Sequence, residues 1–168
     1  MEPRLVVLAC ALASACATVG SFDGALYRGQ YVSFRVPPIP PSWERVSLAG
    51  ADLAFRDASH DASVLINSRC ATADRDAPLM SLTEHLIMGT TDRQVAREET
   101  IPLDAREARH TLLRAKLDGV PMSYDIFVMK KDGCVFDLVY LAPPDEKSAG
   151  ADEFERFVRG FHTVPSAG

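Results

Sequence analysis

Four cysteines, four histidines and a scatter of aspartates are the residues of this chain best equipped for chemistry. Cys70 and Cys134 are candidate disulfide partners. If bonded they close a loop of about 64 residues, worth roughly 4 kcal/mol on chain-entropy grounds. Two unpaired, half-buried thiols are the alternative, since spacing alone does not bring Cα atoms within reach. A redox or metal role has less support: Cys-x-x-Cys is missing and the separation is unlike a zinc-ligand motif. His60, His85, His110 and His162 stand at no ligand spacing to one another. Glu84-His85 lacks the second histidine that a zinc-protease helix carries four residues away. All four histidines read as surface or boundary residues.

Asp125 and Asp137 fall on neighbouring predicted strands, where paired carboxylates would bind a cation or exchange protons. Charges that protect a sheet edge are the blander explanation, and the favoured one. Asp57-Ala58-Ser59-His60-Asp61 gathers polar groups in one hairpin loop and lacks calcium-loop spacing, so it reads as a solvated turn. Gly-x-Ser-x-Gly and phosphate-binding glycine patterns are absent. A triad is recognised by geometry and not by order, so Ser, His and Asp converging in space stays open. On sequence grounds no catalytic residue, metal ligand or cofactor is assigned.

The elements that position these residues follow from hydropathy and turn chemistry. Alternation over 31–36 predicts a strand, and Pro37-Pro38-Ile39-Pro40-Pro41 a stiff surface connection. Strands follow at 43–48, 52–56 and 63–69. Leu79, Leu82, Leu86 and Ile87 share one helical face, stopped by Gly89. The charged run 92–99 reads as a strand margin or surface loop. Strands 108–117, 120–129 and 134–141, joined at Asp118-Gly119 and at Lys131-Asp132-Gly133, predict a three-stranded meander. In the last of these, Cys134, Phe136, Leu138 and Tyr140 form the core face, and Asp137 marks the polar side. Phe154, Phe157, Val158 and Phe161 recur at helical spacing and predict a closing amphipathic helix.

Strands grouped apart from helices argue an α+β domain: an antiparallel sheet of about six to seven strands with two main helices packed on it. This element order, over roughly 31–164, resembles the Mog1/PsbP-like α/β/α sandwich. Other sheets of the same order, cystatin-like ones included, remain open. The resemblance rests on no motif and carries over no functional residue.

The N-terminus supplies an address. Residues 5–13 are uncharged and follow Arg4, as a secretory signal's apolar region follows its basic one. Leu12-Ala13-Ser14-Ala15-Cys16 resembles the bacterial lipobox, in which the thiol is acylated and becomes the new N-terminus. Ala13 stands where the lipobox most often has Leu, and Ala13-Ser14-Ala15 also suits an ordinary signal peptidase. Parity favours lipidation: cleavage before Cys16 removes Cys10, acylation uses Cys16, and Cys70 and Cys134 are left as an even pair. The expected organisation is a signal over 1–15, a lipidated N-terminus and flexible tether over 16–29, one domain over 30–164 and a disordered tail over 165–168.

Composition is that of a globular protein, with 47% hydrophobic and 24% charged residues. A net charge of −5 and the lack of a basic stripe argue against nucleic acid and against electrostatic adhesion to anionic lipid. The expected partners are the membrane, through the N-terminal lipid, and an envelope protein. Ala17 in place of the aspartate that retains many enterobacterial lipoproteins points to the periplasmic face of the outer membrane. The leading expectation is a non-catalytic binding or adaptor domain. The alternative is a small periplasmic enzyme or ligand carrier whose site forms only in three dimensions.

Overall fold

In the computed structural model, residues 20–71, 76–144 and 147–165 are described. Seven strands form one antiparallel sheet: β4 (Trp43–Val46), β5 (Leu53–Asp57), β6 (Ala62–Arg69), β7 (Thr91–Leu103), β8 (Arg106–Leu117), β9 (Val120–Lys131) and β10 (Cys134–Ala142). Their spatial order is β4-β5-β6-β10-β9-β8-β7, so the meander β8–β9–β10 docks on β6 through its last strand. Asp118 and Gly119 have φ of 50° and 82°, and Asp132 and Gly133 have 52° and 77°. Both turns thus use the left-handed backbone that tight hairpins demand.

A second, four-stranded sheet was legible in the sequence only at Ser33–Arg35, which falls within the strand expected over 31–36. It comprises β1 (Ser21–Phe22), β2 (Leu26–Arg28), β3 (Ser33–Arg35) and β11 (His162–Val164), in the order β1-β2-β3-β11. The tether expected over 16–29 is therefore corrected: within it, β1 and β2 belong to the fold. Asp23 sets the turn between them, its carboxylate accepting from the backbone of Ala25 at 3.1 Å and Leu26 at 2.8 Å and from Arg28 at 3.1 Å. Those donors, led by the two backbone amides, lower its pKa to about 2. Of the expected tail, Pro165 follows β11 directly, and 166–168 lie outside the described residues.

Each face of the large sheet is covered. Helix α2 (Lys147–Arg159) and the small sheet cover one face, where Phe34, Phe154, Phe157 and Phe161 pack with Phe127, Phe136 and Tyr140. Helix α1 (Leu79–Leu86) covers part of the other, where Leu82 and Ile87 meet Leu113, Tyr124, Ile126, Val128 and Val135. Residues 123–129 of β9 are consequently buried on both sides. Asp137, read as marking the polar side, is fully buried on that second face, opposite Val128 of the cluster beneath α1. The charged run 92–99 is no loop but most of β7, a 13-residue edge strand. Its charges, its register shifts and Pro102 are the devices by which exposed edges resist pairing with other chains.

Candidate functional site

The strongest polar clusters are two aspartate–histidine pairs under α2. Alternation along β5 turns Leu53, Phe55 and Asp57 toward that helix. Asp57 ends its strand fully buried, and the chain turns back at Asp61, where φ is 47°. His60 Nδ1 lies 2.7 Å from Asp57 Oδ2, the Tyr140 hydroxyl donates to the same oxygen at 2.9 Å, and the Ser59 amide donates to Oδ1 at 3.1 Å. Burial disfavours the Asp57 charge, but these bonds outweigh it and hold the carboxyl below its ordinary range. The loop expected to be a solvated turn therefore anchors a buried network. Gly150 of α2 packs directly over it, since a Cβ there would overlap the Tyr140 hydroxyl and crowd the His60 ring.

The second pair lies on the same face. His110 of β8 is buried and stacked on Phe127, with centroids 4.0 Å apart and planes at 9°. Its Nε2 is 2.8 Å from Asp125 Oδ1, and its Nδ1 is 3.2 Å from Glu99 Oε1. Burial opposes charge on His110, yet Asp125, then Glu99, then Glu155 of α2 hold its pKa above the ordinary histidine value. Burial also pushes Asp125 up, only partly offset by His110. In register Asp125 faces Tyr140, so the two clusters are neighbours across β9 and β10. The expectation that His60 and His110 are surface or boundary groups is thus corrected for His110 and qualified for His60, whose side chain is 19% exposed.

Asp125 and Asp137 do not come together. Asp125 pairs with Tyr140 and Asp137 with Val128; the three-residue offset puts the two carboxylates on opposite faces. Asp137 is ion-paired with Arg69 of β6 instead. Among the described residues no group of three His, Cys, Asp or Glu side chains could hold a metal ion.

Cys70 and Cys134 form a disulfide across the ends of β6 and β10, with Cα atoms 4.1 Å apart. Cys16, the lipidation candidate, lies outside the described residues.

Ser123 lies two residues from Asp125, but its buried Oγ makes no hydrogen bond and so does not reach His110. Three clefts lie elsewhere. One of 510 Å³ opens beside Arg93, Arg114 and Lys116, one of 760 Å³ beside Val46 and Leu48, and one of 850 Å³ beside Leu79, Arg106 and Lys130. None of these three is lined by Asp57, His60, His110 or Asp125. The buried pairs can hold protons and position α2.

No protein-family model matches this chain, and no curated protein matches it in sequence. Solved structures do match in shape. The solution structure of PsbP (CyanoP) from Synechocystis sp. PCC 6803 superposes with a TM-score of 0.60 at 15% identity, covering 90% of this chain and 99% of that one. The fold is PsbP-like. LpqN of Mycobacterium tuberculosis, described as involved in cell envelope biogenesis, shares the PsbP-like fold with a TM-score of 0.59 at 13% identity over 82% of this chain and 87% of its own. A Pseudomonas aeruginosa protein of unknown function matches at 0.53 and 14% identity, over 85% of this chain and 97% of that one. The expected α+β fold is thereby the observed one: a seven-stranded antiparallel sheet and a four-stranded sheet with two helices.

Proposed function

We propose that this chain is an exported, lipid-anchored domain of the cell envelope that binds a protein partner and does not turn over a substrate. The observation that carries the non-catalytic part is the placement of the acid–base groups. Asp57, His110 and Asp125 are buried beneath α2, and the clefts named above open onto other residues. A general acid or base must come within hydrogen-bond reach of the proton it moves.

Export is supported by the Cys70–Cys134 disulfide, since such bonds persist in oxidising compartments. The anchor is supported by the lipobox-like run ending at Cys16. An acylated cysteine with three chains would hold far more firmly than one, which alone gives marginal binding. LpqN, with the same fold, is tied to envelope biogenesis, which is consistent with an envelope role here. By the residue following Cys16, the periplasmic face of the outer membrane is the proposed position.

Fractionation with intact-mass measurement tests the anchor. Native protein should pellet with membranes carrying the mass of an acylated Cys16, and Cys16→Ala should move to the soluble fraction. Unchanged fractionation of that variant would sink the anchor. Crosslinking in intact cells tests the binding role, and recovery of the domain alone would count against it.

A further inference from the structure

The chain is fixed to the fold from Gly20 onward. Gly20 packs so closely on the Tyr27 ring that a Cβ would overlap its hydroxyl end, and Ser21 already pairs with Arg28. Tyr27 is buried and donates its hydroxyl to Asp52 Oδ1 at 2.8 Å. Cys16 lies four positions before Gly20. Four residues of fully extended chain span at most about 14 Å, whatever conformation they take. A headgroup layer takes roughly 5–7 Å of that reach. With acyl chains on Cys16 seated in hydrocarbon, the surface around Gly20 has to lie within about 10 Å of the headgroups.

That surface has the chemistry of an interface. Residues 44–50, the end of β4 and the turn into β5, are all exposed. Val46 and Leu48 are 42% and 51% exposed, and they line the same 760 Å³ cleft as Gly20. Arg45 stands beside them, its guanidinium carbon 5.0 Å from the Phe22 ring centre. Glu44 is the only acidic residue in the stretch, and Asp52 next to it is engaged by Tyr27 and Ser68. Apolar side chains flanked by a cation suit the boundary between acyl chains and lipid phosphates.

We propose that the anchor holds this surface against a phospholipid bilayer, with Val46 and Leu48 at the headgroup–acyl boundary and Arg45 turned toward lipid phosphate. The proposal rests on the lipid-anchor reading and adds an orientation to it. The β8–β9 turn then faces away. Leu53 shares a row with Phe127 through Ile66 and Leu138, and Val120 lies seven residues before Phe127 on β9. At about 3.3 Å per residue, Val120 is displaced roughly 23 Å along the sheet. It is as apolar and as exposed as Leu48, at 57%. Exposure alone would therefore not distinguish the two sites; the short tether does.

The test uses the full lipidated protein in vesicles of phosphatidylethanolamine and phosphatidylglycerol, with some lipid brominated at shallow acyl positions. Leu48→Trp and Val120→Trp are compared with the unaltered protein, whose single tryptophan, Trp43, is buried. Both substituted positions are exposed, so neither disturbs the core. Brominated lipid should cut the added emission of Leu48→Trp by about half and leave that of Val120→Trp unchanged. Intact mass on the same sample reports the state of Cys16. An acylated protein in which Leu48→Trp stays bright, or in which Val120→Trp is the one quenched, overturns the orientation and leaves the anchor standing. Protein that is not acylated and floats free of vesicles overturns the anchor and the orientation together.

Discussion

Tyr140 and Asp57, 83 residues apart in sequence, are joined by a 2.9 Å hydrogen bond in which the phenol donates to Oδ2. The bond reaches from β10 past β6 to the end of β5 and closes the corner on which α2 begins. Tyr140→Phe keeps the ring against Phe154, 5.5 Å away between centroids, and removes the hydroxyl that donates to Asp57. Asp57 retains His60 and the Ser59 amide, so the expected loss is about 1–2 kcal/mol. A lowered urea midpoint with unchanged slope would report it. An unmoved midpoint would show the bond to be energetically idle.

Gly150 offers a prediction of opposite sign to the usual one. Gly→Ala inside a helix ordinarily stabilises by up to about 1 kcal/mol. Here the new methyl would overlap the Tyr140 hydroxyl and press on the His60 ring. Gly150→Ala should therefore destabilise by about 1–3 kcal/mol, the range for overpacking a filled site. Adding Tyr140→Phe should restore part of that loss, and a double-mutant cycle measures how much. Full additivity would mean that the two residues do not meet.

The two buried pairs act at different ends of the pH scale. The folded pKa of His110 lies above the ordinary histidine value of 6.5, so the folded state keeps a proton that the unfolded chain releases. Its contribution is complete below about 6.5 and is lost as pH rises through the folded pKa. Asp57 and Asp104 have folded pKa values below 3.8, so their contributions are present above that value and lost as pH falls through the folded ones. Asp104 is held down by Lys131 at 2.7 Å and by the Thr163 amide at 2.8 Å, against its burial. Thermal midpoints across pH should show an optimum on the acid side of neutrality and a decline toward pH 9. In His110→Gln the alkaline decline should flatten. A decline of undiminished slope in that variant would assign it to another group.

Reduction of the disulfide should be costly but not fatal. Opening a loop of 64 residues is worth roughly 4 kcal/mol in the chain-entropy account. The paired variant Cys70→Ala, Cys134→Ala should lower stability by about that much while the β6–β10 register persists. Denaturant titration gives the loss, and retained far-UV circular dichroism the persistence. A loss under about 1 kcal/mol would mean that the unfolded chain is already compact there.

The parts of the fold legible in sequence were those where turn chemistry and period agree. Asp118-Gly119 and Lys131-Asp132-Gly133 announce the meander because their positive φ angles need such residues. β7 was not legible as a strand because an exposed edge buries almost nothing and so has no apolar alternation. β3 lies within the strand that alternation over 31–36 predicts, whereas β1, β2 and β11 are two or three residues long, too short for any period, and Tyr27 of β2 is held against Phe34 of β3 by stacking at 4.7 Å. The His110–Asp125 pair has no spacing signature, since each sits on its own strand. Its one available clue was the Asp118-Gly119 turn, whose register sets Leu112 opposite Asp125 and hence His110 diagonal to it. The same register for β10 separates Asp137 from Asp125, a parity that adjacency alone conceals.

The disulfide has one more consequence. It spans the junction of β6 and β10, and the segment between its cysteines, which stand 64 positions apart, contains α1 and β7 to β9. A protease cutting once anywhere inside that segment would produce two chains that still travel as one under non-reducing conditions. Damage to half of the large sheet would thus leave no lost fragment, only a nick.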